Sequence, residues 1–250
     1  MADLSNSIFL FEIRQRLREN EALLSSVLNT IHQACLYACE RSKLILKTMP
    51  EYTLHDEAHL SKVHLWMERL IPDSLLHQLS VPELMLLVLS AYMHDLGMAP
   101  SEEEFAMLRV GLDEQSLKQD QKDEIKEYLS IRDIILSKGG TEQYSMVVFI
   151  RNTHAKRIRR ILDKEYPGEI KYAAFDLKPM LADICASHNE NIETITGDAV
   201  NLIGSQPVCI PFLKVILRLA DILDFDCDRA PEILFRILSI ENEVSRREWE

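Results

Sequence analysis

Hydrophobic positions recur along most of this chain at intervals of three and four, and almost nowhere at intervals of two. Through residues 8–48, Ile8, Phe11, Leu17, Leu24, Leu28, Ile31 and Leu36 supply one apolar side, which predicts one or two amphipathic helices. Met49-Pro50 ends that segment. Thr53 has the character of an N-cap, with Asp56 in capping-box position, for a helix through Leu70. Pro72 and Asp73 break it, and a short segment follows through Leu79. Ser80 is a good N-cap and Pro82 lies in the first turn of the next helix. That helix differs from the others: from Leu84 it runs without a charge until it ends in adjacent His94 and Asp95.

Leu96 to Pro100 reads as a turn. Residues 102–128 are strongly acidic and predict a solvated helical excursion rather than core. Gly139, Gly140 and Thr141 separate it from a helix carrying Tyr144, Val147, Val148, Ile150 and Ile158. Pro167-Gly168 is a turn, a short helix runs from near Pro179 to Ser187-His188-Asn189, and Gly197 and Gly204 to Pro207 mark loops. A long apolar helix follows from Pro211 to Leu223, and Pro231 opens a last one. Strand alternation is absent or weak and there are no repeats, so the expected class is all-α.

Composition reinforces this. Gly is scarce at 7 of 250 residues, which favours helix, and the length suits one large domain or one with a small appendage. A formal charge of −12 argues against broad binding to nucleic acid or to an anionic membrane, yet leaves room for a local basic pocket. Five scattered cysteines read as reduced residues of a cytoplasmic protein. Cys35 and Cys39 share a helix face, but no second pair sits at zinc-finger spacing, so packing explains them. Met1 to Leu17 lacks a signal peptide's basic start and long apolar run. The apolar run before His94 is too short to span a bilayer.

Chemistry concentrates where polar groups interrupt apolar faces. Asp is almost never fully buried unless it is paired or bound to a cation, so His94-Asp95 is either a helix end reaching the surface or part of a metal site. His59 lies on a face with Val63 and Met67, one turn after His55. His154 shares a face with Val147, Ile150, Ile158 and Ile161, and His188 closes the stripe Leu181, Ile184, Cys185. Taken singly, each reads better as a hydrogen-bonded core histidine than as a metal ligand. His32, His64 and His77 lack such context and read as surface or packing residues. On the last apolar helix, Lys214, Arg218 and Asp221 make one narrow polar stripe. Periodicity leaves two readings open: a solvent face with Arg218 paired to Asp221, or the lining of a polar cavity.

Joined in order, His59, His94-Asp95, His154, His188 and Asp221 resemble the HD superfamily of metal-dependent phosphohydrolases. The likeness rests on His59-Leu60-Ser61-Lys62-Val63, on Ala91-Tyr92-Met93-His94-Asp95-Leu96-Gly97 and on Leu217-Arg218-Leu219-Ala220-Asp221, and covers about residues 50–230. His55-Asp56, a second His-Asp pair, falls in a polar first turn and is the poorer match. The resemblance implies a compact multi-helix HD-domain bundle over 49–230 with an inserted acidic helical segment at about 100–140. Residues 1–48 would pack on it as a helical extension, and 231–250 would start a C-terminal helix leading toward a further domain.

It also implies a site. His59, His94, Asp95 and Asp221 would hold one divalent ion, with Asp95 bridging to a second and His154 and His188 as additional ligands. Mn, Fe, Zn or Co suit such donors. An activated water would attack a nucleotide or other phosphate ester, with Lys214 and Arg218 beside His94 and Asp95 in the catalytic set. Lys62 and Arg151 would contact phosphate, and His55 would support His59 or touch substrate. The basic run Lys156 to Arg160 reads as a solvated helix face. The alternative is a catalytically silent module that senses a nucleotide or metal. A narrower likeness, in Tyr52-Thr53-Leu54-His55, His94 to Met98 and Arg151 to Ala155, is to HD domains placed before an Hsp90-like ATPase, which implies a covalently linked ATPase-like partner domain. The Gly-Tyr-Pro signature of cyclic-dinucleotide HD enzymes is lacking, and the polar end Ser245 to Glu250 fits an excerpt of a longer protein or a frayed terminus.

Overall fold

The uncharged run before His94 forms a helix, Val81–Met93, in which every residue is buried. A helix apolar on all sides has no face to give to water, so its neighbours must surround it. They do so in a computed structural model that describes residues 4–49, 55–110, 118–195, 200–224 and 246. In chain order the helices are α1 (Ile8–Leu17), α2 (Glu21–Thr48), α3 (Glu57–Leu70), α4 (Asp73–Leu76), α5 (Val81–Met93), α6 (Glu102–Val110), α7 (Gln119–Ser137), α8 (Glu142–Arg160), α9 (Lys178–Ala186) and α10 (Ile210–Leu223). Helices α1, α2, α3, α9 and α10 all pack against α5. The bundle is all-α, with two small antiparallel hairpins, β1 (Lys171–Tyr172) with β2 (Phe175–Asp176) and β3 (Val200–Ile203) with β4 (Gln206–Cys209).

Local chemistry sets the ends of the central helix. The Ser80 hydroxyl accepts from the Glu83 amide while Glu83 Oε2 accepts from the Ser80 amide at 2.7 Å, a capping box. The other Glu83 oxygen accepts from the Cys209 amide at 2.8 Å, which explains a buried glutamate and ties the start of α10 to the start of α5. At the far end α5 gives way to a 3₁₀ turn, Leu96–Met98. Gly97 makes this possible, because a Cβ there would lie 2.0 Å from the carbonyl oxygen of His154 on α8.

Several expectations are corrected. The acidic stretch 102–128 is not merely solvated: Met107, Leu108 and Tyr128 are buried in a second core with Met98, Met146, Phe149 and Ile150. Glu102, Glu103, Asp123 and Glu127 are exposed, whereas Glu104 is buried and the apolar side of α7 packs on α8. The run Lys156 to Arg160 is solvated only in part: Lys156 and Arg159 are exposed, but Arg157 is buried, 2.5 Å from Glu104 of α6. Arg160 contacts both Glu104 and Glu124. The N-cap of α3 is Asp56, whose carboxylate accepts from the Ala58 and His59 amides, so the helix starts later than expected and His55 stands just outside it. Of residues 204–207, Gly204 and Ser205 form the hairpin turn and Gln206 and Pro207 already belong to β4, with Gly204 at φ +62° where L-residues are strained. Tyr52, Thr53, Gly197, Cys227 and the helix expected from Pro231 lie outside the described residues.

The N-terminal helices belong to the main core, with Phe9, Ile13, Val27, Ile31, Ala34 and both Cys35 and Cys39 buried in it. Glu68 of α3 anchors the start of α1 by accepting from the Ile8 amide and the Ser7 hydroxyl, each at 2.8 Å. Among the described residues no helix is long and apolar enough to cross a membrane.

Candidate metal centre

Five histidines and two aspartates converge where α3, α5, α8 and α10 meet. His59 comes from the first turn of α3, His94 from the C-terminus of α5, Asp95 from the next residue, His154 from α8, His188 from a 3₁₀ turn after α9, and Asp221 from α10. His55 stands nearby, its Nε2 4.0 Å from Asp95 Oδ2. The break from α-helix to 3₁₀ turn lets two consecutive side chains, His94 and Asp95, reach the same centre.

Asp95 has two faces. Its Oδ2 lies 3.1 Å from His94 Nε2 and 3.3 Å from His59 Nε2. Its Oδ1 lies 3.5 Å from His188 Nε2 and 3.9 Å from His154 Nε2. Asp221 Oδ1 closes the first group at 3.7 Å from both His59 and His94 Nε2. His59, His94 and Asp95 form one set able to hold an ion, and Asp95, His154 and His188 a second.

The histidines are presented to a cation. Nδ1 of His94, His154 and His188 donates to the carbonyls of Ala91, Arg151 and Cys185, at 3.0, 2.7 and 2.5 Å. A carbonyl can only accept, so Nδ1 carries the hydrogen and a neutral ring keeps its lone pair on Nε2. Those Nε2 atoms then face each other: His154 and His188 at 2.6 Å, His59 and His94 at 3.3 Å. Two lone pairs so close need a proton or a cation between them. Two ligands each about 2.1 Å from one ion stand about 3.0–3.4 Å apart at octahedral or tetrahedral angles, close to the 3.1–3.7 Å found around His59, His94, Asp95 and Asp221. The donor set therefore fits a divalent ion.

The balance of charge and burial around these groups supports that fit. Burial works against a charged His94, but the adjacent Asp95 and Asp221 carboxylates prevail and hold its pKa well above the usual value. Without an ion a proton occupies the place of positive charge. Burial of Asp95 and partial burial of Asp221 alone would raise them, yet the histidines hold both below the ordinary range. Burial lowers His154, and burial with the neighbouring His154 lowers His188 to about 4. Both shifts favour the neutral ring, the form that ligates metal. Asp221, with its side chain a quarter exposed, marks the side open to solvent.

The remaining expected residues are placed less uniformly. Lys214 pairs with Asp183 at 2.9 Å, and Arg218 Nη1 donates to the carbonyls of Ser187 and Glu190. The stripe they form with Asp221 thus follows α9 and the His188 turn instead of serving as a free solvent face. Lys62 and Arg151 are half-buried on α3 and α8, and the Arg151 carbonyl holds His154. One residue of this cluster escaped the sequence reading: Asp224, buried, whose Oδ2 accepts from His59 Nδ1 at 2.6 Å. A carboxylate behind a ligating imidazole orients it and raises its basicity. Its signal was a second carboxylate three residues after Asp221 on an otherwise apolar helix end.

An all-α bundle that brings a His, a His-Asp pair and a distant Asp to one buried centre defines an HD-type domain. The chain belongs to the HD-CE family, whose profile matches residues 49–250. No curated protein and no solved structure matches it.

Proposed function

We propose that this chain is a metal-dependent phosphohydrolase acting on a nucleotide or another phosphate ester or diester, with two divalent ions held on either side of Asp95. The observation carrying the reading is the two-faced Asp95 carboxylate between two pairs of histidines whose Nε2 atoms converge. His59, His94 and Asp221 would hold one ion with Asp95, and His154 and His188 the other. Divalent ions there would supply Lewis acidity toward phosphoryl oxygens and lower the pKa of a water.

The protein's own part is to keep these donors oriented and correctly protonated. Carbonyl acceptors fix three imidazole tautomers, Asp224 fixes the fourth, and burial keeps His154 and His188 neutral. Substrate would approach past Asp221, where the centre meets solvent, with Lys62, Arg151 and His55 as its contacts. One observation favours the alternative of a silent nucleotide- or metal-sensing module: Lys214 and Arg218, two cations expected to meet phosphate, are engaged with protein groups. In that form the domain would report to a linked partner such as an ATPase-like domain.

Metal analysis with a manganese-supplemented substrate screen tests both readings. Purified protein is expected to carry about two equivalents of Mn, Fe, Zn or Co, and Asp95→Asn to lose both ions. Phosphate release from nucleotides, cyclic nucleotides or short single strands that vanishes in Asp95→Asn supports the enzyme. Binding without turnover supports the sensor, and a protein that takes up no metal overturns the site.

A further inference from the structure

We propose that Arg218 is a positioning residue that builds the His188 half of the site and couples it to the helix carrying Asp221. This rests on the two-ion reading above. His188 lies in a one-turn 3₁₀ segment, Ser187–Asn189, at the end of α9, closed by a bond from the Glu190 amide to the Ser187 carbonyl at 3.2 Å. Arg218 Nη1 donates to the carbonyl of Ser187, the residue before His188, and at 2.6 Å to that of Glu190, two residues after it. One guanidinium nitrogen therefore brackets the histidine on both sides. A charged donor makes these bonds stronger than neutral ones.

The bracket continues along α10. Lys214, one turn before Arg218, holds Asp183 of α9 at 2.9 Å, and Asp221, three residues after it, reaches the metal centre. Three polar side chains on one helix stripe thus set α9, the His188 turn and the first ion's ligands in a common register. On the far side His188 Nδ1 is already fixed by the Cys185 carbonyl, leaving the placement of its backbone as the remaining freedom of the ring. His188 Nε2 lies 2.6 Å from His154 Nε2 and 3.5 Å from Asp95 Oδ1, so a small shift of the turn separates the second set of donors. The polar stripe is thereby explained without a phosphate: it is a clamp.

Cobalt(II) titration of the full chain, followed by calorimetry and by the visible spectrum, provides the test. Wild type is expected to take two ions. Arg218→Ala should weaken the second by about ten- to a hundredfold, as removal of a supporting group does, with the first within about twofold. Arg218→Lys should recover most of the loss, since one ammonium has donors for both carbonyls. In a His188→Ala background, Arg218→Ala should cost the second ion nothing further, a coupling that holds even where the single variant is poorly stable. A two-ion wild type with unaltered binding in Arg218→Ala, or additive losses in the double variant, overturns the inference alone. A wild type that takes a single ion overturns the two-ion reading and the inference with it.

Discussion

The two sides of Asp95 present the same ligand chemistry on different foundations. On one side, His59, His94 and Asp221 come from three helices of the main core, and charge holds them: Asp224 behind His59, and two carboxylates beside a His94 that favours its proton. On the other side, His154 and His188 are held by backbone carbonyls and stay neutral through burial. In the first group charge adds to a single carbonyl contact, His94 Nδ1 to Ala91, whereas both imidazoles of the second group rest on backbone carbonyls. Perturbations of charge and of backbone should therefore separate the two halves.

The largest expected effect is at Glu104, which joins α6 to the histidine-bearing α8 through Arg157 and Arg160. Glu104 and Arg157 are both buried, and breaking a buried pair leaves an uncompensated charge, about 3–5 kcal/mol. Glu104→Gln should lower the urea midpoint accordingly and loosen His154 while sparing the His59 group. Burial pushes the Glu104 carboxyl up, but the Arg157 and Arg160 charges outweigh it and hold it below its ordinary value. A carboxyl with a depressed folded pKa stabilises above its unfolded value, about 4.3, and that contribution is lost as pH falls through the folded value. Wild-type stability should thus decline in acid below about pH 4.5, and the Gln variant should decline less steeply. Equal acid slopes would remove Glu104 from the account.

Next comes Gly97→Ala. The added methyl meets the His154 backbone, not a flexible side chain, so overpacking should cost about 1–3 kcal/mol. Metal titration should show the His154–His188 ion weakened more than the other, and equal losses would show that the halves are not independently built. The smallest effect is expected at Asp224. Asp224→Asn keeps an acceptor for His59 Nδ1 but removes its charge, so the ion on the His59 side should bind about tenfold more weakly. The His154–His188 side should be unchanged. Weakening of both by the same factor would contradict the contrast.

How far the site was legible follows the same division. Helix periodicity placed His59, His154 and His188 on or at the end of apolar faces, and the uncharged run marked His94-Asp95, because burial of polar groups is visible as an exception to a pattern. Asp224 was missed since nothing in its neighbourhood distinguishes a solvent-facing carboxylate from one aimed at a histidine 165 residues away. The acidic stretch was misjudged for a related reason: its charges dominate the composition of 102–128, while Met107, Leu108 and Tyr128 form a narrow inner face that acquires meaning against Met146 and Phe149.

The chain by itself determined the all-α class, most helix limits, the fully buried α5 and the ordered set of histidines and aspartates, because capping, breakers and 3.6-residue periodicity act over a few turns. Tertiary structure alone decided which donors face which oxygen of Asp95, that Gly97 must be bare for α8 to approach, and that Arg218 clamps a turn where a free phosphate contact was expected. Those outcomes depend on distances between segments far apart in sequence, set by packing and not by local pattern.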